Sequence, residues 1–376
     1  MKIPLSRPWV TKEDIKAVEE VMRTSYLSLG PKLPEFEKRL AEVAHTKYAV
    51  AVNSGTSALH LILRSLNIEK GDEVITTPFS FIASANCILF ERATPIFVDI
   101  RPDTYNINPE LIEDAITEKT KAILGVDIFG QPAEWDKIEK IAREHNLLVI
   151  EDSCEAIGAE YKGKRAGSWG NAGAFAFYPN KAITTGEGGV VVTNSEEIAT
   201  FSRSMRNQGR GEGDTWLEHT RLGYNYRISD INCALGISQL NRLDLIIKKR
   251  AEVAKMYNKK LSNMDEIKIP NILPDVNRMS WFVYVVRLSD KFKRDDRDNI
   301  IKEMGKRDIQ TRNYFAPIHL QPFYVKEFGF KKGDFPVTEF VSDRTIALPF
   351  FTEMREEEVI YVVENLKEVI RKVIKS

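Results

Sequence analysis

The sequence predicts an α/β fold: a large domain with a mostly parallel central sheet, followed by a smaller C-terminal α/β domain. Between residues 48 and 152, short β-branched runs alternate with segments of helical spacing. Such alternation favours a parallel sheet covered by helices on both faces. The length of 376 residues leaves room for a second packed unit.

The predicted elements follow one another in a regular order. Thr11 and Asp14 have the spacing of a helix cap, and apolar residues at helical spacing then continue to about Arg23. Four strand and helix pairs come next, before a fifth strand at NLLVIED: YAVAVNSG with TSALHLILRSL, DEVITT with SFIASANCILF, TPIFVDI with PELIEDAI, and KAILGVDIF with AEWDKIEKIAREH.

The pattern changes after residue 170. The runs AGAFAF and GGVVVTN predict two short strands without a long helix between them, and helical spacing returns over residues 229–261 with a bend. WFVYVVRL predicts another strand, followed by a helix near residues 294–305 and a last helix from about residue 355. We place the domain boundary near residue 250, which gives domains 1–250 and 251–376.

The composition excludes several classes of function. The 54 basic and 54 acidic residues cancel, so no overall basic field is present to hold nucleic acid or an anionic membrane. The N-terminus has no signal-peptide core, and no apolar run approaches the roughly 20 residues of a membrane span. Cys87, Cys154 and Cys233 are far apart and form no C-x-x-C pair. We expect a soluble cytoplasmic protein that acts on small molecules.

Ligands of such sheets bind beyond the carboxyl ends of the strands. In NSGTSALHL a strand ends, Gly55 allows close backbone approach, and Thr56 begins a helix. The free N–H groups of a helix start form an anion site that suits a phosphate. The alternative is an ordinary capped turn, which the motif alone favours.

Asp152 directly follows a predicted buried strand in VIEDSCEAIGA. A carboxylate at this position points into the ligand crevice, although a turn cap is equally consistent with the pattern. We expect no metal site, because no His lies at ligand spacing from Asp152.

Lys181 stands between a strand and a glycine cluster in FAFYPNKAITTGEGGVVV. It is either a surface residue or a buried amine suited to Schiff-base chemistry. The glycines follow the lysine, which is the wrong order for a P-loop.

These elements together match the needs of pyridoxal phosphate: an anion site at Gly55 and Thr56, a carboxylate at Asp152 for the ring nitrogen, and an amine at Lys181. Phe79 and Phe81, at the end of another strand, are candidates for stacking on the ring, and the alternative is that either belongs to the core.

An ordered set of motifs, each weak alone, runs along the chain: LSLGPKLPEFE, NSGTSALHL, TPFSFIASAN, GQPAEWD, EDSCEAIGAEYKGK, FYPNKAITTGEGGVVVTN, RSMRNQGR, LGYNYRISDI and YFAPIHLQPFY. With this set the chain resembles the DegT/DnrJ/EryC1/StrS family of pyridoxal-phosphate-dependent sugar aminotransferases over nearly its whole length. The resemblance implies the aspartate-aminotransferase-like fold, type I of the pyridoxal-phosphate-dependent transferases.

The resemblance also implies roles for residues around the cofactor. Lys181 would carry the internal aldimine and move protons, and Asp152 would pair with the pyridinium nitrogen. Gly55 and Thr56 would hold the phosphate, and Phe81 would stack on the ring.

Other implied roles concern the partner subunit and the substrate. The asparagine of GYNYR, here Asn225, reaches the phosphate of the neighbouring subunit's cofactor in the family, which implies a homodimer with shared active sites. Arg227 is a further candidate. In YFAPIHLQPFY, Tyr314 and His319 are candidates for the nucleotide-sugar side of the pocket, and for His319 a structural role in its loop is an equal alternative.

The chain departs from the family pattern at three positions. Many members have Gln or His where this chain has Glu155, placed to hydrogen-bond the cofactor's phenolic oxygen. Glu155 therefore has to be protonated, turned away or matched by a cation. Ala176 replaces a frequent serine ligand of the phosphate. Asp127 stands where His is common, so its loop does not indicate the substrate.

The resemblance implies that glutamate donates the amino group and that a nucleotide-linked 3-keto or 4-keto sugar accepts it, for polysaccharide, O-antigen or secondary-metabolite sugar biosynthesis. Family members with His in place of the lysine are dehydratases, and Lys181 argues against that activity. The alternatives are a cofactor-binding regulatory protein without catalysis and an amino-acid aminotransferase of the same fold. The neutral charge and the lack of an evident DNA-reading module disfavour the first, and GYNYR with YFAPIHLQPFY disfavours the second.

Overall fold

The computed structural model describes residues 1–211 and 218–375. Its strands in chain order are β1 (Tyr48–Val52), β2 (Glu73–Thr76), β3 (Thr94–Phe97), β4 (Thr120–Val126), β5 (Leu148–Asp152), β6 (Glu160–Tyr161), β7 (Lys164–Arg165), β8 (Ala172–Ala176), β9 (Gly189–Thr193), β10 (Ile267–Lys268), β11 (Val276–Arg278), β12 (Tyr284–Leu288) and β13 (Thr345–Leu348).

The α-helices of the described residues are α1 (Lys12–Met22), α2 (Lys32–Ala44), α3 (Gly55–Ser65), α4 (Ala83–Phe90), α5 (Trp135–Glu144), α6 (Glu196–Arg206), α7 (Asp230–Leu240), α8 (Leu243–Leu261), α9 (Arg294–Gly305), α10 (Pro322–Phe328), α11 (Pro336–Ser342) and α12 (Glu356–Lys375).

A central seven-stranded sheet has the order β1-β9-β8-β5-β4-β2-β3. The pairs β2–β3, β2–β4, β4–β5 and β5–β8 are parallel, whereas β9 is antiparallel to both of its neighbours, β1 and β8. In the β1–β9 pair, Val52 lies opposite Gly189. The predicted mostly parallel sheet is therefore confirmed.

The central strands are apolar because helices cover both faces of the sheet. Every residue of β9 is buried, as are the last four residues of β1 and β5. Strands buried on both faces lose the alternation of polar and apolar residues that a solvent-facing sheet shows. The carboxyl ends of β1, β5 and β8 consequently meet at one edge of the buried sheet, where polar residues follow each strand.

Most predicted elements lie where the sequence pattern indicated. The capped first helix is α1, in which the backbone N–H of Thr11 donates to Asp14 at 2.9 Å. The bend predicted within residues 229–261 is the break between α7 and α8, and the helix near residues 294–305 is α9.

The helix predicted at PELIEDAI is wrong. Two short 3-10 turns, Pro109–Leu111 and Glu113–Ala115, occupy this segment, and the backbone is extended again at Ile116. None of the residues of the second turn is buried, so packing does not offset the unfavourable nucleation of a short α-helix here.

A second, three-stranded sheet with the order β10-β12-β13 lies in the C-terminal part of the chain. Its apolar residues form one buried cluster with residues of α8, α9 and α12, which include Tyr257, Ile300 and Leu366. Helix α8 runs continuously through residue 250. The boundary proposed there thus falls within a helix and stays a prediction.

In the part of the chain that the structure describes, the helices are too short or too polar to cross a lipid bilayer.

Candidate active site

A cavity of about 490 Å³ opens where β1, β5 and β8 end. At the end of β1, Ser54 caps α3 by accepting a hydrogen bond from the backbone N–H of Ser57 at 3.1 Å. Gly55 and Thr56 follow and line the cavity. A Cβ atom on Gly55 would lie 2.7 Å from Cβ of Ala176 and 2.9 Å from Sγ of Cys154. Glycine thus lets the helix start lie directly against the next strands, with its free N–H groups at the cavity.

Asp152 is the last residue of β5 and lines the same cavity. Its side chain is buried, and both carboxylate oxygens have donors. The hydroxyl of Ser84 donates to Oδ2 at 2.6 Å, and the backbone N–H of Cys154 donates to Oδ1 at 3.2 Å. Two hydrogen bonds in a buried setting hold this carboxylate in one orientation.

Lys181 lies in the loop between β8 and β9, and its side chain enters the cavity instead of extending into solvent. The side chain is 14% exposed, and Nζ lies 3.9 Å from the centroid of the Phe282 ring. The same Nζ lies 3.5 Å from Oε1 of Glu155. An ammonium group gains from both contacts, one with the face of an aromatic ring and one with a carboxylate.

Glu155 is a buried neighbour of Lys181. Its Oε2 accepts a hydrogen bond from the backbone N–H of Phe129 at 2.9 Å. Burial raises the pKa of Glu155, and the positive charge of Lys181 acts in the opposite direction. The sequence left three alternatives for Glu155: protonated, turned away from the cofactor, or matched by a cation. The structure shows a cation, Lys181, within reach, and the carboxyl group faces the cavity.

Two predicted aromatic residues also line the cavity. Phe81 is 62% exposed, so one face of its ring is free to contact a ligand. Tyr314 is half-buried, and desolvation raises the pKa of its phenol to about 12. Tyr314 is therefore protonated at neutral pH and can donate a hydrogen bond into the cavity.

Three other predicted site residues lie outside the lining of this cavity. Asn225 is exposed, and its backbone oxygen accepts a hydrogen bond from the side chain of Asn53 at 3.4 Å. Arg227 donates to Oδ1 of Asn207 at 3.0 Å. His319 is fully buried with Nε2 3.1 Å from Oε1 of Glu339, and burial lowers its pKa. Their predicted roles stay predictions.

The sequence did not single out Ser84 and Phe282 as site residues. Ser84 stands in FSFIASAN, where small polar residues follow a strand, and this was the available signal. Phe282 comes from the segment before β12, more than 100 positions from Lys181. Only the folded chain brings the two together.

The described residues contain no group of three or more His, Cys, Asp or Glu side chains that could hold a metal ion.

The residues present fit pyridoxal phosphate. A helix start without side chains at Gly55 suits the phosphate, the doubly hydrogen-bonded carboxylate of Asp152 suits a protonated ring nitrogen, and the amine of Lys181 suits the aldehyde. All three open onto one cavity, which is the arrangement that the sequence predicted.

The cavity thus fits a protein that uses pyridoxal phosphate, and the comparisons with known proteins give its class, the aminotransferases. The chain belongs to the DegT/DnrJ/EryC1/StrS aminotransferase family, whose model matches residues 8–367. The resemblance stated from the motifs is thereby confirmed, as are the fold class and the enzymatic class.

Three relatives show how far the similarity extends. GDP-perosamine synthase of Escherichia coli O157:H7 is 36% identical over 97% of this chain and 98% of its own. The structure of Helicobacter pylori PseC, an aminotransferase involved in the biosynthesis of pseudoaminic acid, has a TM-score of 0.93 at 32% identity, over 99% of this chain and 100% of that one. The putative sugar aminotransferase Spr1654 of Streptococcus pneumoniae in its PMP form has a TM-score of 0.95 at 29% identity, over 100% of this chain and 99% of that one. A PLP form of the latter protein matches with a TM-score of 0.94.

Proposed function

We propose that this protein transfers an amino group from glutamate to a keto group of a nucleotide-linked sugar. The sugar aminotransferases among its relatives, which include GDP-perosamine synthase and PseC, support the acceptor class. One structural observation carries the proposal. The amine of Lys181, the carboxylate of Asp152 and the start of α3 all line one cavity.

In this proposal Nζ of Lys181 would hold the cofactor by its aldehyde group. When bound, the cofactor supplies an electron sink for the transfer of the amino group. Nζ of Lys181 would act as the base that takes a proton from the substrate carbon and as the acid that gives a proton back. The ring of Phe282 beneath Nζ limits the access of water to this amine.

The remaining lining residues position the cofactor and the substrate. The N–H groups at Gly55 and Thr56 would bind the phosphate, Asp152 would hold the ring nitrogen, and Phe81 would stack on the ring. Glu155 would lie toward the phenolic oxygen.

Tyr314, with a phenol that stays protonated, donates a hydrogen bond on the substrate side. Arg227 and His319 also stay proposed substrate residues, although neither lines the cavity of its own subunit.

We further propose a homodimer in which the partner subunit's Asn225 completes the phosphate site. Asn225 is exposed and lies outside its own cavity, and Leu222 in the same segment is 70% exposed. An exposed apolar residue beside a polar one suits a contact between two copies of the chain.

The three cysteines form no disulfide, which is consistent with the cytoplasmic location that we propose.

Absorbance of the bound cofactor tests this function. We expect purified protein to be yellow with pyridoxal phosphate, to lose this absorbance with glutamate, and to regain it with an acceptor from a panel of nucleotide-linked keto-sugars. Lys181→Ala should lose both the absorbance and turnover. Lys164→Ala is the matched control, because Nζ of Lys164 lies over Trp169 outside the cavity. A wild-type protein that cannot be reconstituted with the cofactor would contradict the proposal.

A further inference from the structure

Two serine hydroxyls and the carboxylate of Asp152 form a continuous hydrogen-bonded chain. Oγ of Ser80 lies 2.8 Å from Oγ of Ser84, and Oγ of Ser84 lies 2.6 Å from Oδ2 of Asp152. The three residues are 5%, 1% and 4% exposed. Ser80, Ser84 and Asp152 also line the cavity.

The direction of this chain follows from the number of protons. A hydroxyl group has one proton to donate, and an ionised carboxylate only accepts. Ser84 must therefore donate its proton to Asp152, which leaves its oxygen to accept the proton of Ser80. The order Ser80 to Ser84 to Asp152 is the arrangement that satisfies both contacts. Because hydrogen bonds in a chain polarise one another, Ser80 strengthens the bond that Ser84 makes.

The surroundings of Asp152 provide few other sources of stabilisation for its charge. The titratable groups that face it are Cys87 on α4, Cys154 and Glu155 after β5, and Lys181 in the loop before β9. Burial raises the pKa of the Cys87 and Cys154 thiols, so both are neutral at pH 7. Lys181 is engaged by the cofactor in the loaded protein that we propose. Apart from the ring nitrogen that Asp152 would face, its negative charge then depends on its donors, Ser84 and the N–H of Cys154.

We propose that Ser84 is a positioning residue that keeps Asp152 ionised and oriented toward the ring nitrogen of the cofactor, with Ser80 supporting Ser84. This inference rests on the proposed function, because it requires that Asp152 faces this nitrogen. A buried carboxylate that loses a donor gains by taking a proton from its acidic partner. Without Ser84, the shared proton therefore moves from the ring nitrogen to Asp152, and the ring becomes a weaker electron sink.

The protonation state of the ring nitrogen tests this role directly. We expect the ¹⁵N NMR shift of labelled pyridoxal phosphate in the loaded wild-type protein to report a protonated nitrogen across neutral pH. In Ser84→Ala the signal should move toward that of an unprotonated nitrogen over the same pH range, because transfer of the proton from the ring nitrogen to Asp152 releases no proton to the solvent. The value of kcat should fall ~10-fold or more, while KM for glutamate changes less.

Three further variants separate positioning from folding. Ser84→Thr keeps the hydroxyl and should restore the wild-type nitrogen signal. Ser80→Ala should shift the signal in the same direction by a smaller amount, because the direct donor remains. Ser65→Ala is the matched control, since Ser65 is a buried serine whose hydroxyl donates to the carbonyl of Leu61 away from the cavity. It should leave the nitrogen signal unchanged.

The outcomes distinguish this inference from the function on which it rests. A wild-type protein that binds no cofactor would overturn both. If wild-type protein binds the cofactor with a protonated nitrogen and Ser84→Ala gives the same nitrogen signal, the role of Ser84 is refuted and the proposed function stands. The role of Ser84 is also refuted if Ser80→Ala changes the nitrogen signal more than Ser84→Ala does.

Discussion

Nζ of Lys181 lies 3.5 Å from Oε1 of Glu155, so the amine that we propose as the cofactor's anchor has a buried carboxyl group as its neighbour. The other oxygen of Glu155 accepts a hydrogen bond from the backbone N–H of Phe129. Glu155 thus connects the loop of Lys181 to the backbone that follows β4. Because Glu155 makes two contacts, the effect of losing the contact with Lys181 and the effect of losing the contact with Phe129 can be measured separately.

Two replacements of Glu155 separate the effect of its negative charge from the effect of its size and hydrogen bonds. In Glu155→Gln the amide oxygen can still accept from Phe129 and the NH₂ group can donate to the cofactor, so we expect the cofactor to bind within a few-fold of wild-type affinity. Glu155→Ala leaves a buried N–H without an acceptor, which should lower the free energy of unfolding by about 1–3 kcal/mol. Denaturant unfolding and titration with the cofactor measure the two effects. Equal stability of the two variants would contradict this account.

Two buried carboxyl groups, those of Asp127 and Glu151, predict a pH dependence of stability. Oγ of Ser153 lies 2.7 Å from Oδ2 of Asp127 and 2.7 Å from Oε1 of Glu151. One hydroxyl proton cannot serve two carboxylates, so one of the acids has to be protonated. Burial raises the pKa of Asp127 to about 6, and burial together with the charge of Asp127 raises the pKa of Glu151 well above its usual range.

The sign of the effect follows from proton binding. A carboxyl group with a raised pKa in the folded state binds more protons there than in the unfolded chain, so its contribution to stability falls as pH rises above about 4. We expect Glu151→Gln to gain stability relative to wild type as pH rises from 5 to 8, by at most ~1.4 kcal/mol per pH unit. Urea unfolding at several pH values measures this difference. Glu144→Gln, at an exposed position of α5, should show no such trend, and a flat difference for Glu151→Gln would exclude the shared proton.

The close approach at Gly55 can be tested with a single methyl group. Gly55→Ala should push α3 away from β8, because the new Cβ meets Ala176 and Cys154 within 3 Å. We expect a loss of about 1–3 kcal/mol of stability and a weaker affinity for the cofactor phosphate. Gly305→Ala, at the exposed end of α9 where a Cβ would meet nothing within 4 Å, is the control and should be neutral or slightly stabilising. Isothermal titration with pyridoxal phosphate gives the affinities.

Arg250 on α8 holds the segment that carries Phe282. Its guanidinium donates to the carbonyl oxygens of Trp281 and Phe282 at 2.8 and 2.7 Å and to Thr352 at 3.2 Å. Desolvation lowers the pKa of Arg250 to about 10, so it stays charged at neutral pH. Arg250→Lys cannot reproduce this fork and should cost about 2–4 kcal/mol of stability. Thermal unfolding checks this prediction, and Arg143→Lys, at an exposed position, is the control. If Arg250→Lys melts at the same temperature as wild type, the hydrogen bonds of the Arg250 guanidinium are dispensable.

Shared sites in a homodimer predict complementation between two inactive variants. Lys181→Ala lacks the anchoring amine, and Asn225→Ala lacks the proposed contribution to the other subunit. Mixed by unfolding and refolding, they should form heterodimers with one intact site, and random pairing restores roughly one quarter of wild-type activity. Activity that stays at the level of the separate variants, in dimers shown by light scattering to have mixed, would contradict a shared site.

The sequence predicted those parts of the fold that local patterns determine. Apolar runs and helical spacing identified β1, β5 and α9, and the ordered motifs placed Lys181 and Asp152 at a common site. The reversed direction of β9 was not predicted, because strand direction depends on pairings far along the chain. The roles of Ser84 and Phe282 likewise depend on contacts between segments that are distant in sequence, which single-sequence patterns do not record.

The place of β9 between β1 and β8 also sets the time at which the site can form. Val52, two residues before the cap of α3, pairs with Gly189, and a Cβ on Gly189 would lie 2.6 Å from the backbone nitrogen of Gly55. A nascent chain emerging from the ribosome therefore cannot complete the proposed phosphate site at the start of α3 until residues beyond position 193 have left the exit tunnel. Closing so long a loop is entropically costly and slow. Capture of the cofactor accordingly belongs to a late stage of biogenesis, after most of the large sheet has been synthesised.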